Sequence, residues 1–336
     1  MDEPVKGKGR MITDASGVTR REGGIFGMWG NIFPERNGGN EQKGDSTPHI
    51  PDIRDILDIF PESLREKLFN KISEAIDYEP VIGVMGKTGV GKSSVCNALF
   101  KGDVCAVSDV EACTRDVQEL QIRFGQRSLK IIDIPGVGES ASRDKEYEQL
   151  YRQLLPKLDL ILWVVKGDDR AFSADEHFYN NVLVPTGGKE RVLFVLNQVD
   201  KIEPFREWDS TLHQPSPAQQ INIEKKEAYL TERFGFMSHP IISVSADENY
   251  NIVRLVETMI RALPNRAKSG AAAQLKDEYK TEEVKTEAKG GFSSVVSEIL
   301  DTVIDSTPLP RPLKELARKA KDKVIEWAND IWDFFF

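Results

Sequence analysis

The sequence is short of cysteine, of histidine and of long apolar runs, and each shortage removes a class of function. Its three cysteines (Cys96, Cys105, Cys113) are an odd number without metal-ligand spacing, so free thiols acting as small buried hydrophobes are expected in place of a disulfide framework or a zinc site. Four histidines are scattered and form no ligand cluster. No apolar run reaches the roughly 18 residues that a membrane-spanning helix needs. The first residues, Met1-Asp-Glu-Pro4, lack the basic and then apolar pattern of a secretory signal, so residence in the cytoplasm is expected. Positive charge is also in deficit. With 45 Lys and Arg against 54 Asp and Glu, the net charge of -9 argues against a chain built to neutralise nucleic-acid phosphates, and no direct DNA binding is expected.

What is present is a globular composition, 40% hydrophobic and 29% charged over 336 residues, long enough for a large core. Residues 86 to 93 read Gly-Lys-Thr-Gly-Val-Gly-Lys-Ser between the apolar run Val81-Ile-Gly-Val-Met85 and the helix-like Ser94-Val-Cys-Asn-Ala-Leu-Phe100. Strand, glycine-rich loop and helix make a phosphate cradle: glycines let successive backbone N–H groups turn inward, and the helix N-terminus adds its field. Lys92 is expected to reach the β- and γ-phosphates, and the Ser93 hydroxyl to bind the Mg²⁺ that bridges them.

Periodicity organises the rest. Residues 1 to 50 are rich in glycine and charge and are expected to be a disordered tail, with one apolar island around Ile25 to Phe33. Residues 51 to 79 read as two helices separated by Pro61. Strands are predicted at Val117 to Phe124, Leu129 to Ile134, Leu158 to Val165, Arg191 to Leu196 and Pro240 to Val244. Helices are predicted at about 145 to 155, 174 to 183, 218 to 233 and 251 to 263. Continuous apolar strands alternating with helices predict an α/β fold, a doubly wound and mostly parallel sheet over 80 to 265, with helical appendages at both termini. Beyond Leu263 the pattern predicts a polar linker, a charged helix at Gln274 to Ala288, a break at Gly290-Gly291, an amphipathic helix at Phe292 to Asp305, and a last helix from Leu313 to about Trp332.

Short motifs fall at the carboxyl ends of these strands, where such sheets bind ligands. Asp133-Ile-Pro-Gly136 closes one strand, so that Asp133 can hold Mg²⁺ through water and the Gly136 N–H can sense a γ-phosphate. Thr114 supplies a second hydroxyl for the metal, with Ser108 as the fallback. After the strand ending at Leu196 comes Asn197-Gln-Val-Asp200. An Asp there can accept both the ring N–H and the exocyclic amine of guanine, a donor pair that adenine does not present. Ser245-Ala246 puts a backbone N–H on the guanine oxygen. The expected nucleotide contacts are Gly86, Lys87, Thr88, Gly89, Val90, Gly91, Lys92, Ser93, Ser94, Asn197, Gln198, Asp200, Ser245 and Ala246; the metal ligands are Ser93, Thr114 and Asp133; and the catalytic groups are Lys92, Thr114 and Gly136. The ligand pair is GTP and GDP, with Mg²⁺ as cofactor.

These motifs, with Thr114-Arg115 and Asp133-Ile-Pro-Gly-Val-Gly-Glu-Ser140, resemble the Era-like branch of the TRAFAC, or translation-factor-related, GTPases, and in particular the YfjP-type family borne on prophages and other mobile elements. Asp168-Asp-Arg-Ala171, Glu207-Trp-Asp209, Pro215-Ser-Pro-Ala-Gln219 and the aromatic C-terminus extend the likeness over nearly all of the chain after residue 50. The resemblance implies a Mg²⁺-dependent molecular switch that hydrolyses GTP to GDP and phosphate. Against that pattern, Gln198 replaces the usual Lys, which implies modest, micromolar affinity. Val137 stands where some GTPases carry a water-orienting Gln, and Gly89 where relatives carry a K⁺-holding Asn. Slow intrinsic hydrolysis without potassium stimulation is therefore expected. Arg115 is either a cation acting in cis or a surface ion-pair partner of Asp116 or Glu111. Asp168, Asp169 and Arg170 either couple nucleotide state to an interface or form a solvated helix entry.

The last helix carries an apolar face (Leu313, Leu316, Ala317, Ala320, Val324, Trp327, Ala328, Ile331 and Phe335), while Lys314, Arg318, Lys319, Lys321 and Lys323 populate the rest. Two readings stay open: packing at home, or peripheral contact with the inner face of the membrane. They feed two functional classes: a regulatory GTPase with a protein or ribonucleoprotein partner, and a self-assembling or membrane-associated GTPase of dynamin-like or immunity type. A chain that binds GTP without hydrolysing it is a third.

Overall fold

A computed structural model of the chain describes residues 11–13, 19–21, 61–101, 105–106, 118–124, 127–134, 151–235 and 237–335. The chain divides into the units Met1–Pro51 and Asp52–Phe336. In the first, strands β1 (Met11–Thr13) and β2 (Thr19–Arg21) pair antiparallel. The apolar island at Ile25 to Phe33 and the helix expected before Pro61 lie outside the described residues.

The second unit is built on a seven-stranded sheet with the order β4-β5-β6-β3-β7-β8-β9. β3 (Val81–Met85), β6 (Arg127–Ile134), β7 (Leu160–Lys166), β8 (Val192–Asn197) and β9 (Ile242–Ser243) run parallel, and β5 (Gln118–Phe124) and β4 (Cys105–Ala106) continue it antiparallel at one edge. This is the expected doubly wound, mostly parallel architecture. β7 and β8 are buried along almost their whole length, because helices cover both faces. Trp163 of β7 anchors one face, stacking on Phe194 at 5.2 Å with Tyr179 and Phe234 edge-on.

Helices α1 (Glu62–Ile76), α2 (Lys92–Leu99), α3 (Ser173–Phe178), α4 (Pro217–Phe234) and α5 (Ile252–Ala262) follow the predicted pattern closely. Beyond them the structure differs from expectation. The predicted linker after Leu263 contains a helix, α6 (Asn265–Gln274), whose Ala267 and Ala271 are fully buried. The predicted break at Gly290-Gly291 is instead the middle of one long helix, α7 (Glu282–Ser306). The cause is close packing: a Cβ on Gly291 would stand 2.9 Å from Lys268 Cδ and 3.1 Å from the Asn265 carbonyl. A helical glycine costs about 1 kcal/mol against alanine, and here the backbone-to-backbone approach of α6 and α7 offsets it.

The last helix, α8 (Arg311–Phe335), starts within the proline cluster, which suits a first helical turn. Its apolar stripe is buried at home: Ala317, Val324, Trp327, Ala328 and Ile331 are nearly inaccessible, and Trp327 meets Phe69 of α1 edge-on at 6.1 Å. Part of the basic face is neutralised by α7, through Arg318–Asp305 at 2.9 Å and Lys321–Asp301 at 2.7 Å. No described helix is long and apolar enough to cross a membrane.

The amino ends of β3 and β7 are clamped by a buried aspartate. Asp159 accepts from Tyr78 Oη at 3.0 Å, from the Val81 amide at 3.0 Å and from Arg266 Nη2 at 3.0 Å, tying α6 under the sheet. Burial first, and then the Asp159 charge, push the Tyr78 phenol up to about 12.

Candidate functional site

The carboxyl ends of the parallel strands carry the loops that the sequence singled out, and hydrogen bonds join them. Gly91, at φ 89°, leads into α2, which has no side-chain cap, so its first-turn amides are free to take an anion. A Cβ on Gly91 would stand 2.4 Å from Asn197 Nδ2, which is why only glycine fits under the Asn197 loop. Asn197 Nδ2 donates to the Val90 carbonyl at 2.9 Å, and the Ala246 amide donates to Asn197 Oδ1 at 3.1 Å. One asparagine, 1% exposed, therefore ties three loops together.

Gln198, held at φ 61°, donates from its amide to the Gly89 carbonyl at 3.0 Å. The neutral side chain thus steadies the phosphate loop without a charge of its own. Lys201 donates to Gln198 Oε1 at 3.1 Å and brings a cation one turn later. The Asp200 carboxylate accepts from the Ser245 hydroxyl at 2.7 Å. Behind it, fully buried Gln219 donates to the Asp200 and Ile202 carbonyls at 3.3 and 3.1 Å. Gln219 also closes a capping box with Ser216 at the start of α4. The segment around Trp208 is an anchored loop: its indole donates to Glu248 at 3.3 Å and its ring meets Tyr250 edge-on.

At the phosphate loop, Lys92 Nζ donates to the Gly86 carbonyl at 2.9 Å and stands 3.9 Å from Asp133 Oδ1. Asp133 Oδ1 is buried and has no hydrogen-bond partner among the described residues. Burial pushes this carboxyl up, against the pull of Lys92. A buried carboxylate oxygen of this kind is the hard donor that Mg²⁺ takes, as is the hydroxyl of Ser93 in the first turn of α2. Thr114 and Gly136 lie outside the described residues, as do Ser108, Arg115 and Val137. Cys96 is buried, and burial first, then Asp133, push its thiol up to about 12.

Lys87 does something its motif does not announce. Its ammonium turns away from the loop to Asp175 at 2.9 Å, Asp169 at 3.2 Å and the Ala171 carbonyl, leaving its backbone amide as the part available to a phosphate. Burial pushes the Asp175 carboxyl up against the pull of Lys87. Asp169 is also pushed up by burial, but the Ala171 amide and Lys87 outweigh that and hold it below the usual carboxylate range. The Asp169 carbonyl accepts from Lys226 of α4, so the loop after β7 connects the phosphate loop to α4. Gln219 and the Lys87 latch escape sequence reasoning because each bridges positions far apart in the chain, whereas Lys201 lies just beyond the motif, three residues from Gln198.

Comparison with known proteins gives this geometry a family. The profile of the 50S ribosome-binding GTPase family matches residues 81–198. YkfA of Escherichia coli K12 is 43% identical over 276 residues, 82% of this chain and 94% of YkfA. YfjP of the same organism is 42% identical over 284 residues, 84% of this chain and 97% of YfjP. GTPase Era of Aquifex aeolicus is 28% identical over 188 residues, 54% of this chain and 56% of Era. A crystal structure of an Era variant from that organism, bound to GDP.AlF4-, aligns with a TM-score of 0.40 at 23% identity, over 55% of this chain and 56% of that one. The chain belongs to the family of YkfA and YfjP and carries a GTPase domain: it binds GTP and hydrolyses it.

Proposed function

We propose that the chain is a slow, Mg²⁺-dependent molecular switch. Its GTPase domain spans residues 80 to 265, its site is the loop cluster around Lys92 and Asp200, and residues 51 to 79 and 266 to 336 are helical appendages. The supporting observation is convergence: the phosphate loop is bonded to the base loop through Asn197 and Gln198 at 2.9 and 3.0 Å, and the base loop to Ser245 at 2.7 Å. Backbone amides from Gly86 to Ser94 bind the phosphates, Lys92 takes up charge developing on the β- and γ-oxygens, and the Asp200 carboxylate accepts the ring N–H and amine of guanine. Ser93 and Asp133 would hold the Mg²⁺, with Thr114 joining when triphosphate is bound, and the metal would supply charge neutralisation at the phosphates. Water attacks the γ-phosphorus, phosphate departs, and GDP remains in the site.

Slowness follows from what the chain does not bring to the water. Val137 cannot orient it, and Gly89 offers no side chain to a potassium ion. A partner that supplies a cation is worth about 10³ to 10⁵ in rate. The matched family's description names ribosome binding, so a ribonucleoprotein is the first partner to test, and self-association the second. The buried stripe of α8 favours the regulatory switch over the membrane-associated reading. The test is single-turnover hydrolysis by the intact chain with Mg²⁺, in sodium and in potassium buffer. Slow turnover, indifferent to the alkali ion, is expected; rapid turnover by the isolated chain or strong potassium stimulation overturns this reading.

A further inference from the structure

Beside the base loop lies a cavity of about 410 Å³. Ser94 and Asn97 of α2 form one side and Ala246 and Asp247 a second; Lys276, Glu278 and Tyr279, from the segment after α6, form the third. That third wall is firmly placed. Leu275 bridges Phe100 antiparallel, the Lys101 amide donates to the Gln274 carbonyl at 2.8 Å, and the Lys276 amide donates to the Leu99 carbonyl at 3.2 Å. The Tyr279 amide returns to the Lys276 carbonyl at 3.1 Å, and the buried Tyr279 phenol donates to Asn249 Oδ1, on the base loop's own side, at 2.5 Å. The Lys276 backbone is thus held from both sides, while its ammonium has no hydrogen-bond or ion-pair partner among the described residues.

An unpartnered ammonium at a polar cavity beside Ala246 has a defined chemical preference. Guanine presents two acceptors, O6 and N7, on the edge away from the amine, and lysine is a common partner of that pair; adenine puts an N–H₂ donor in place of O6. We propose that Lys276 reads the O6/N7 edge of the bound guanine, so that the segment after α6 is part of the base site as well as a structural appendage. This rests on the guanine reading above and adds to it a second, independent reader. Asp200 takes the N1–H and 2-amino side, and Lys276 the opposite acceptors. The cation absent at Gln198 reaches the base from another direction, and occupancy of the base site bears directly on α6 and α7.

The test uses the full chain with Mg²⁺ and displacement of a fluorescent GDP analogue by GDP, IDP and ADP, in the wild type, Lys276→Ala and Lys276→Arg, with thermal melting to confirm that each is folded. Lys276→Ala is expected to lower the GDP-over-ADP preference about tenfold. It should leave the GDP-over-IDP preference, which reports the 2-amino group, unchanged, and Lys276→Arg should restore the first ratio. A GDP-over-ADP ratio within twofold of wild type in Lys276→Ala, or equal losses for all three nucleotides, overturns the proposal. A wild-type chain with no preference for GDP over ADP sinks the underlying guanine reading instead, so the two failures are distinguishable.

Discussion

Two aspartates at opposite ends of one parallel sheet show how this fold divides its labour. Asp159, at the amino end of β7, is buried with a tyrosine, a backbone amide and an arginine all bonded to it. Asp133, at the carboxyl end of β6, is left with a buried oxygen that no group among the described residues satisfies and a lysine 3.9 Å away. An unmade bond to a buried polar atom costs about 1–3 kcal/mol, so one end is assembled for stability and the other withholds partners that a ligand can supply. The structural end can therefore be broken without touching the chemistry, and the chemical end without unfolding the protein.

The largest separation is expected from Lys92→Ala. Removing this charge from the phosphate loop should lower single-turnover GTP hydrolysis by about 10² to 10³, while the urea midpoint stays near that of the wild type. Asp159→Ala should do the reverse. It strands Arg266 and Tyr78, costs about 3 kcal/mol in chemical denaturation, and leaves GDP affinity of the folded fraction unchanged.

Lys87→Met tests a structural latch within the chemical end, between the phosphate loop and the loop after β7. It leaves Asp175 buried without its cation and should cost about 2 kcal/mol. Asp175 then holds its proton to higher pH in the folded state than in the unfolded chain, so that stabilising share is present at low pH and lost as pH rises. Denaturation at pH 5 and pH 8 should show the larger deficit at pH 8. The smallest effect belongs to Tyr78. Its folded pKa of about 12 lies above the ordinary 10.0, so its contribution is complete below pH 10 and fades towards pH 12. A pH scan of the thermal midpoint in wild type and Tyr78→Phe should show a steeper alkaline decline in the wild type, since the other buried tyrosines titrate in both.

The chemical end was the more legible of the two in the sequence. Glycines at 86, 89 and 91, the serine after Lys92 and the Asn197–Asp200 run are dictated locally, by backbone conformation and by the geometry of the ligand, and continuous apolar runs marked the strands that carry them. The structural end was not. Helix α6 reads Asn-Arg-Ala-Lys-Ser-Gly-Ala-Ala-Ala-Gln, small residues without a large apolar period, and looks like a linker until the sheet closes over it. Gly290-Gly291 looks like a break until α6 lies against it. Lys87 looks like a phosphate ligand until Asp169 and Asp175 fold beside it. In each case the deciding partner is distant in sequence, and no local preference encodes it.

Guanine selection by Asp200 is tested most directly by titrating wild type and Asp200→Asn with GDP and XDP in the presence of Mg²⁺. The wild type should prefer GDP; in the variant the amide N–H₂ can donate to the 2-oxo group of xanthine, so the preference should invert towards XDP. An Asp200→Asn protein that stays folded and still binds GDP as tightly as the wild type would contradict the assignment of this loop to the base.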